Sequence, residues 1–229
     1  MKSLKVEIMQ RTKIEWCDLS WNPVKGMCPM GCSYCYARKL YKRFRWDPTI
    51  RLDEKELEAP LRLKRPAKTF VGSTIELFGR WVKRSWLQRI FEVVEECPQH
   101  TFLFLTKLPK RASLWSPFPQ NCWVGVSIPK VIHSPSRDTF LDLYWLKFRT
   151  SASVKFISFE PLLGDCSEVS LRGLDWIIIG AQTNPYRAPK LGWIEGILSQ
   201  AEKEEIPVFM KDNLKRAWPW GYLIQEWPR

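Results

Sequence analysis

Histidine is scarce in this sequence of 229 residues, which contains only His100 and His133, and no apolar stretch approaches the roughly 20 residues of a membrane span. The N-terminus also lacks the uninterrupted apolar core of a secretory signal. These absences predict a cytoplasmic protein with no membrane association, in a compartment where disulfides are rare. The seven cysteines are therefore better interpreted as free thiols or metal ligands.

An interdomain linker and close internal repeats are also absent from the sequence. The hydrophobic content of 45% and the charged content of 26% are ordinary for a globular protein that buries a substantial core. We therefore expect a single domain over residues 1–229, with a cysteine-rich loop at residues 26–36 and a short C-terminal tail at residues 213–229.

Short apolar runs alternate with helical patterns along the chain. The runs are nearly continuous in hydrophobicity, as in strands buried on both faces, and they cover residues 69–74, 101–107, 122–128, 154–160, 175–182 and 207–212. Helical patterns cover residues 53–63, 81–97, 138–150 and 192–205, whereas residues 160–175 carry none. This alternation predicts βαβ units and a parallel sheet. With a first strand near residues 21–25, we expect an α/β fold: a partial TIM-like parallel β/α barrel of six or seven strands, open on one side.

Polar side chains follow the apolar runs at the carboxyl end of each predicted strand. They are Ser73 and Thr74, Thr106 and Lys107, Ser127, Glu160, Gln182, and Lys211 and Asp212. In barrels of parallel strands the active site forms at this end, from the strand tips and the loops after them. One polar tip commonly caps the following turn, but six such ends in succession indicate a lined cavity.

The net charge of +12 is distributed unevenly. Residues 1–115 contain 23 Lys and Arg against 12 Asp and Glu, whereas residues 116–229 contain 13 against 12. The densest basic run, residues 38–46, interleaves basic side chains with Tyr41, Phe44 and Trp46. Such a run suits a phosphate backbone with bases to stack on, although it is also typical of a solvated helix face. We therefore expect an anionic substrate, with DNA and RNA among the candidates.

Three of the seven cysteines, Cys28, Cys32 and Cys35, lie within eight positions, after the first predicted strand. A zinc ion requires a fourth ligand, and the other cysteines are scattered with no second Cys-x-x-Cys pair, although Cys17 is one that a zinc site could recruit. A redox pair of Cys32 and Cys35 would leave Cys28 without a role. Clustered thiolates are also the usual ligands of iron–sulfur clusters, in which three cysteines leave one iron free to bind another molecule.

The run CPMGCSYC has the pattern Cys-x-x-x-Cys-x-aromatic-Cys, which resembles the signature of the radical S-adenosylmethionine enzymes. The resemblance implies that Cys28, Cys32 and Cys35 hold a [4Fe–4S] cluster whose fourth iron binds S-adenosylmethionine. An electron donor would reduce the cluster, and the cofactor would split into methionine and a 5′-deoxyadenosyl radical that abstracts hydrogen from a substrate. Tyr34, at the aromatic position, would pack against the cluster or the adenine.

Seven sequence blocks also resemble, in the same order, those of a radical-SAM-like family first labelled as phage proteins. The blocks run from TKIEWCDLSWNPVKG to PVFMKDNL and cover almost the whole chain. Many members of that family have a longer gap between the first two cysteines, whereas this chain has the three-residue gap of the wider superfamily. The chain departs from the family at GAQTNP, where Gln182 replaces a carboxylate.

The resemblance further implies roles for residues at the strand ends. The methionine amino group would be held by Ser73, Thr74 and Glu76. The ribose and carboxylate of the cofactor would be contacted by Ser127, Glu160 and Gln182. An anionic substrate or a radical intermediate would meet Lys107 and Lys211, since a buried lysine is costly without a partner. The remaining substrate contacts would come from Arg38, Lys42, Arg43, Arg45 and Asp212.

Two classes of function follow from these patterns. The first is a radical enzyme that acts on a nucleic acid or nucleotide, with a protein or a small metabolite as the alternative substrate for the same cluster. The second is a non-enzymatic nucleic-acid-binding protein with a structural zinc site at the cysteines. Because the tail after the last strand is short for a radical-SAM barrel, we also expect a large substrate, a partner protein or a second subunit to complete the site.

Overall fold

The computed structural model describes residues 9–134 and 137–229. No helix in these two segments combines the length and the apolar character that crossing a membrane requires. The described chain divides into two compact units: the first runs to Phe104 and includes Pro119–Cys122, and the second comprises Leu105–Phe118 and Trp123–Arg229. The single-domain organisation and the cytoplasmic location stay predictions.

The strands and helices are numbered here in chain order. The strands are β1 (Gln10–Arg11), β2 (Leu19–Trp21), β3 (Val24–Lys25), β4 (Arg51–Leu52), β5 (Lys68–Val71), β6 (Thr101–Thr106), β7 (Cys122–Ser127), β8 (His133–Ser134), β9 (Arg137–Asp138), β10 (Val154–Phe159), β11 (Trp176–Ile179), β12 (Gln182–Thr183), β13 (Tyr186–Arg187) and β14 (Val208–Met210). The α-helices are α1 (Tyr36–Phe44), α2 (Glu54–Leu57), α3 (Arg84–Glu96), α4 (Pro109–Ala112), α5 (Thr139–Arg149) and α6 (Leu191–Lys203). Short 3-10 turns occupy Pro60–Arg62, Ser113–Trp115 and Asp212–Leu214.

One eight-stranded sheet has the order β1-β2-β5-β6-β7-β10-β11-β14. Strand β1 pairs antiparallel with β2, and the seven other strands run parallel and form an open half-barrel. The α/β class and the partial TIM-like barrel of six or seven strands are therefore confirmed. Three two-stranded sheets, β3–β4, β8–β9 and β12–β13, account for the other described strands.

Apolar side chains cover both faces of the parallel strands. In the second unit, Ile177, Ile178 and Ile179 of β11 are all fully buried, as a strand covered on both sides requires. In the first unit, the ring of Trp21 in β2 lies 5.4 Å from that of Phe102 in β6, and both residues are fully buried. The β-branched and aromatic runs of the sequence thus form the core.

The helices follow the predicted patterns, with shifted ends. Ile90 and Val94, within the helical pattern predicted at residues 81–97, are fully buried in α3. The pattern at residues 53–63 is interrupted because Pro60 has no N–H to continue a helix, so α2 is a single turn and a 3-10 turn follows. Residues 160–175, all of them described, contain no helix, as the sequence predicts.

The first parallel strand lies earlier than the sequence predicts. Strand β2 ends at Trp21, whereas Val24 and Lys25 form β3 and pair antiparallel with β4. Pro23 lies between the two strands, and its carbonyl accepts a hydrogen bond from the Asp53 N–H at 2.8 Å instead of joining the parallel sheet. The cysteine loop therefore begins from this small antiparallel ladder.

Candidate cofactor site

The three clustered cysteines lie between β3 and the first turn of α1, in the first unit. Cys28, Cys32 and Cys35 are half-buried free thiols. Cys35 is the N-cap residue of α1, where its sulfur accepts a hydrogen bond from the Arg38 N–H at 3.4 Å. The Cys35 N–H donates to the Cys32 carbonyl at 3.1 Å. The start of the helix thus fixes the backbone between two of the three thiols.

The loop begins at a position that glycine alone fills without strain. Gly26 has a φ of +116°, and a Cβ there would lie 2.6 Å from the Cα atom of Ile50. The Gly26 N–H donates to the Tyr41 hydroxyl at 2.8 Å. Because Tyr41 is a buried residue of α1, this bond ties the start of the loop to the helix that ends it.

Replacing Tyr41 by phenylalanine should leave the buried Gly26 N–H without an acceptor. An unsatisfied buried group lowers the free energy of unfolding by about 1–3 kcal/mol. At about 2–4 °C per kcal/mol for a chain of this length, the expected fall in Tm is roughly 2–12 °C, measured by calorimetry. The control is Tyr36→Phe, which removes a 2.9 Å bond from an exposed hydroxyl to the Ser73 carbonyl. Equal losses in the two variants would contradict the role assigned to Tyr41.

Two groups from outside the loop contact Cys28. The Glu76 N–H donates to the Cys28 sulfur at 3.5 Å, and Arg38 Nη2 donates to the Cys28 carbonyl at 2.7 Å. Burial raises the pKa of the Cys28 thiol, and the N–H groups of Glu76 and Met30 oppose that rise. Arg38 therefore holds the loop backbone through the Cys28 carbonyl, while its role in substrate binding stays a prediction.

Groups at the ends of two neighbouring strands meet at the Asn22 side chain. Asn22 directly follows β2, and its Oδ1 accepts hydrogen bonds from the Ser73 hydroxyl at 3.1 Å, the Thr74 N–H at 3.2 Å and the Thr74 hydroxyl at 3.3 Å. The predicted site residues Ser73 and Thr74 are thus held together by a residue that sequence reasoning missed. In the sequence, Asn22 could have been recognised as a polar residue near the end of the first strand, like the other polar residues that were predicted to line the site.

Glu76 lies in the segment between β5 and α3, outside any helix. Only 8% of the residue is exposed. Its carboxylate accepts a hydrogen bond from the Phe78 N–H at 3.2 Å, and its carbonyl accepts one from Trp81 Nε1 at 3.0 Å. With its N–H on the Cys28 sulfur, Glu76 joins the end of β5 to the cysteine loop.

Three thiols on one loop suit either zinc or an iron–sulfur cluster in donor type. Within residues 9–134 and 137–229, no group of three or more His, Cys, Asp and Glu side chains is arranged to hold a metal ion. A cluster differs from a single ion, because its thiolates bind different irons and need not converge on one atom. The loop therefore fits a cluster in the type and number of its donors.

The cysteines outside the loop are buried: Cys17, Cys97, Cys122 and Cys166. Burial raises the pKa of Cys166 to about 12, which lowers its thiolate fraction roughly 1000-fold relative to an ordinary thiol. Iodoacetamide should therefore modify only the loop cysteines of the native protein, and all cysteines after denaturation. Peptide mass spectrometry measures the pattern, and native modification of Cys122 or Cys166 at the rate of the loop would contradict it.

Polar groups also follow the strands of the second unit. Lys107, after β6, donates from Nζ to the Ser127 hydroxyl at 3.0 Å, and Ser127 is buried. Ser127 is the register partner of Ser158 in β10, so the two side chains point to the same face of the sheet. The Ser158 hydroxyl is buried and has no hydrogen-bond partner among the described residues. The structure thus brings the predicted residues Lys107 and Ser127 together.

An ion pair joins the ends of β10 and β14. Lys211 Nζ donates to Glu160 Oε1, and the exposed fractions of the two side chains are 10% and 23%. Gly180 lies between them: a Cβ there would be 3.0 Å from Glu160 Cγ and 3.1 Å from Lys211 Cδ. The predicted site residues Glu160 and Lys211 therefore form a pair, and sequence reasoning missed the glycine that makes room for it.

Gln182 and Asp212 have other partners. Gln182 Nε2 donates to the Pro185 carbonyl at 2.8 Å, in the turn between β12 and β13, and Asp212 forms an exposed ion pair. Asn213 was not predicted, yet it exchanges hydrogen bonds of 2.9 and 2.8 Å with the backbone of Ala181. Asn213, rather than Asp212, thus joins the segment after β14 to the end of β11. The roles given to Gln182 and Asp212 stay predictions.

The C-terminal end of α1 presents the predicted basic run. Lys42, Arg43 and Arg45 are exposed there, and positive charge at this end of a helix also interacts favourably with the helix dipole. The basic run therefore has a local role in stabilising α1, and its contacts with substrate stay a prediction.

Tyr34 is half-buried in the cysteine loop.

The fold is similar to that of two solved spore photoproduct lyase structures. One, complexed with dinucleoside spore photoproduct, has a TM-score of 0.55 and 14% identity, covering 98% of this chain and 72% of that chain. Another, a double mutant with bound AdoMet and dinucleoside spore photoproduct, has a TM-score of 0.53 and 11% identity, covering 94% of this chain and 63% of that chain. At these identities the similarity concerns the fold alone.

The fold and the loop define a class: an open parallel β/α barrel with three thiols in the loop between its first two parallel strands. The chain belongs to the family described as "Protein of unknown function (DUF5131)", whose model matches residues 11–218. No curated protein matches the chain.

Proposed function

We propose that the protein is a radical S-adenosylmethionine enzyme whose [4Fe–4S] cluster is held by Cys28, Cys32 and Cys35. One observation carries the proposal: three half-buried thiols share a loop of signature spacing, and the start of α1 fixes the backbone between two of them. The similar fold of a lyase with bound AdoMet supports the choice of cofactor. When bound, the cluster and S-adenosylmethionine would supply a 5′-deoxyadenosyl radical for hydrogen abstraction.

The side chains around the loop have tasks that follow from their contacts. Arg38 and Tyr41 hold the loop backbone, as outer-shell groups commonly do around a metal centre. The hydroxyls of Ser73 and Thr74 both donate to Asn22, so their remaining capacity is to accept hydrogen bonds. Acceptors in that position suit the amino group of the cofactor's methionine moiety, and the Glu76 carboxylate would add negative charge for the same group.

Residues of the second unit take the remaining proposed roles. Ser127, Glu160 and Gln182 would contact the ribose and carboxylate of the cofactor. Lys107 and Lys211 would contact an anionic substrate, with Ser127 and Glu160 orienting their ammonium groups through the contacts described above.

We propose a nucleic acid or nucleotide as the substrate class. The exposed basic end of α1 supports this choice, and so does the similar fold of a lyase complexed with a dinucleoside. The proposal also includes an electron donor for the cluster, and a partner protein or second subunit that completes the site.

Anaerobic reconstitution with iron and sulfide, followed by metal analysis, tests the cluster. We expect about four irons and four sulfides per chain, as in a cubane cluster. Addition of S-adenosylmethionine should change the electron paramagnetic resonance spectrum of the reduced cluster, because the cofactor binds one of its irons. Zinc at about one per chain, with no iron incorporated, would contradict the proposal and favour a non-enzymatic nucleic-acid-binding protein.

A further inference from the structure

An exposed aromatic pair lies at the C-terminal end of α1, formed by Phe44, its last residue, and Trp46, which follows it. The rings of Phe44 and Trp46 are stacked, with centroids 5.6 Å apart and planes inclined by 22°. The two residues are 53% and 47% exposed, so part of each ring is open to solvent. Behind them, Tyr41 packs edge-on against Trp46 at 5.3 Å and is buried.

The backbone holds this pair in a defined position. Arg45 is the C-cap residue of α1 and has the left-handed φ of 51°. The N–H groups of Arg45 and Trp46 both donate to the Tyr41 carbonyl, at 3.1 Å in the case of Trp46. A left-handed residue other than glycine is uncommon and indicates a constraint on the local backbone. The turn places the Trp46 ring against both Phe44 and Tyr41.

The segment that carries the pair is strongly basic. Residues 36–46 contain five basic residues and no acidic residue. The Arg43 guanidinium lies 5.3 Å from the centre of the Phe44 ring. The next acidic residue, Asp47, is bonded to Arg51 at 2.9 Å, so its charge is balanced locally. An exposed aromatic surface with this charge complements a polyanion that carries flat apolar groups.

We infer that Phe44 and Trp46 form a stacking platform for an unpaired base of a single-stranded nucleic acid, whose phosphates contact Lys42, Arg43 and Arg45. The inference names the substrate class of the proposed enzyme and in that sense rests on the proposed function. Base–aromatic stacking combined with a basic backbone track is how proteins bind single strands. A duplex offers no such contact, because its bases are already stacked on one another.

Tyr41 connects the platform to the cysteine loop. Its ring supports Trp46, and its hydroxyl accepts the hydrogen bond from the Gly26 N–H at 2.8 Å, where the loop begins. A base on the platform therefore lies on the helix that carries Cys35 as its N-cap. A single-stranded nucleic acid bound at the platform would therefore contact α1, the helix whose N-cap residue is the proposed cluster ligand Cys35.

Fluorescence anisotropy with the reconstituted full chain tests the inference, using a labelled single-stranded oligonucleotide and the duplex of the same sequence. Trp46→Ala should weaken single-strand binding about 5- to 100-fold, and Trp46→Phe should restore most of the affinity. Each of Lys42→Ala and Arg45→Ala should lower the slope of log affinity against log salt concentration by about one, as loss of one phosphate contact does. Phe148→Ala, which removes a 73% exposed ring from α5 in the second unit, is the matched control and should leave binding unchanged.

Equal single-strand binding by Trp46→Ala and the unmodified chain would overturn the inference, and so would a duplex bound as tightly as the single strand. Preferential binding to anionic lipid vesicles, which also attract basic helices, would likewise overturn it. Binding requires no radical chemistry, so the two proposals fail separately. Trp46-dependent binding without 5′-deoxyadenosine would contradict the proposed function alone, whereas 5′-deoxyadenosine without Trp46-dependent binding would contradict the inference alone.

Discussion

Replacing Cys28 or Cys32 by alanine, or Cys35 by serine, should abolish stable incorporation of iron after reconstitution. Changes to outer-shell groups already lower metal affinity by about 10–100-fold, so loss of a ligand should lower it by at least about 100-fold. Serine is chosen for Cys35 because that residue caps α1, and a hydroxyl retains the capping hydrogen bond. Iron and sulfide analysis after gel filtration gives the result.

The fold should survive these substitutions, because the cysteines are half-buried in a loop whose backbone is held by other groups. Ser33→Ala, an exposed change inside the same loop, is the matched control and should incorporate iron normally. Circular dichroism and calorimetry should show the same folded content for all variants. Full iron incorporation by Cys32→Ala would contradict the assignment of the loop as the cluster site.

Replacing Lys211 by methionine should cause the largest loss of stability that we expect in the second unit. The Glu160 carboxylate would then be largely buried without its positive partner. Breaking one half of a buried ion pair is strongly destabilising, and with partial exposure here we expect a loss of about 2–4 kcal/mol. For a chain of this length the corresponding fall in Tm is roughly 5–15 °C.

A double-mutant cycle isolates the pair from other effects of the substitution. Lys211→Met with Glu160→Gln should recover at least half of the lost stability, because no unpaired charge is left. Lys215→Met is the matched control: its ion pair with Asp212 has side chains 65% and 53% exposed, so the expected loss is below about 1 kcal/mol. Equal destabilisation by Lys211→Met and Lys215→Met would contradict the importance of the buried pair.

The strand centres could be predicted from the sequence because uninterrupted apolar runs leave few alternatives to buried parallel strands. Strand ends depend on contacts made elsewhere. The run at residues 69–74 ends as a strand at Val71, because Gly72 leaves the extended conformation with a φ of +72°. The Gly72 N–H makes the last hydrogen bond of the ladder, to the Trp21 carbonyl at 2.8 Å. Likewise, β3 exists only because a segment more than 20 residues later pairs with it.

The thiols of the candidate site could be predicted because their spacing is local. The residues that hold them could not, since each acts through a contact that sequence spacing does not reveal. Asn22 meets Ser73 and Thr74 about 50 residues away, and Tyr41 meets Gly26 15 residues away. Gly180 matters only because Glu160 and Lys211 approach it from two other strand ends.

Production of 5′-deoxyadenosine would be the most direct evidence that the protein is a radical S-adenosylmethionine enzyme. The anaerobically reconstituted full chain would be reduced in the presence of S-adenosylmethionine, and the nucleoside would be quantified by liquid chromatography and mass spectrometry. We expect 5′-deoxyadenosine from the unmodified chain and from Ser33→Ala, and none from Cys32→Ala. A chain that carries a full complement of iron and sulfide, yet leaves S-adenosylmethionine intact under these conditions, would contradict that function.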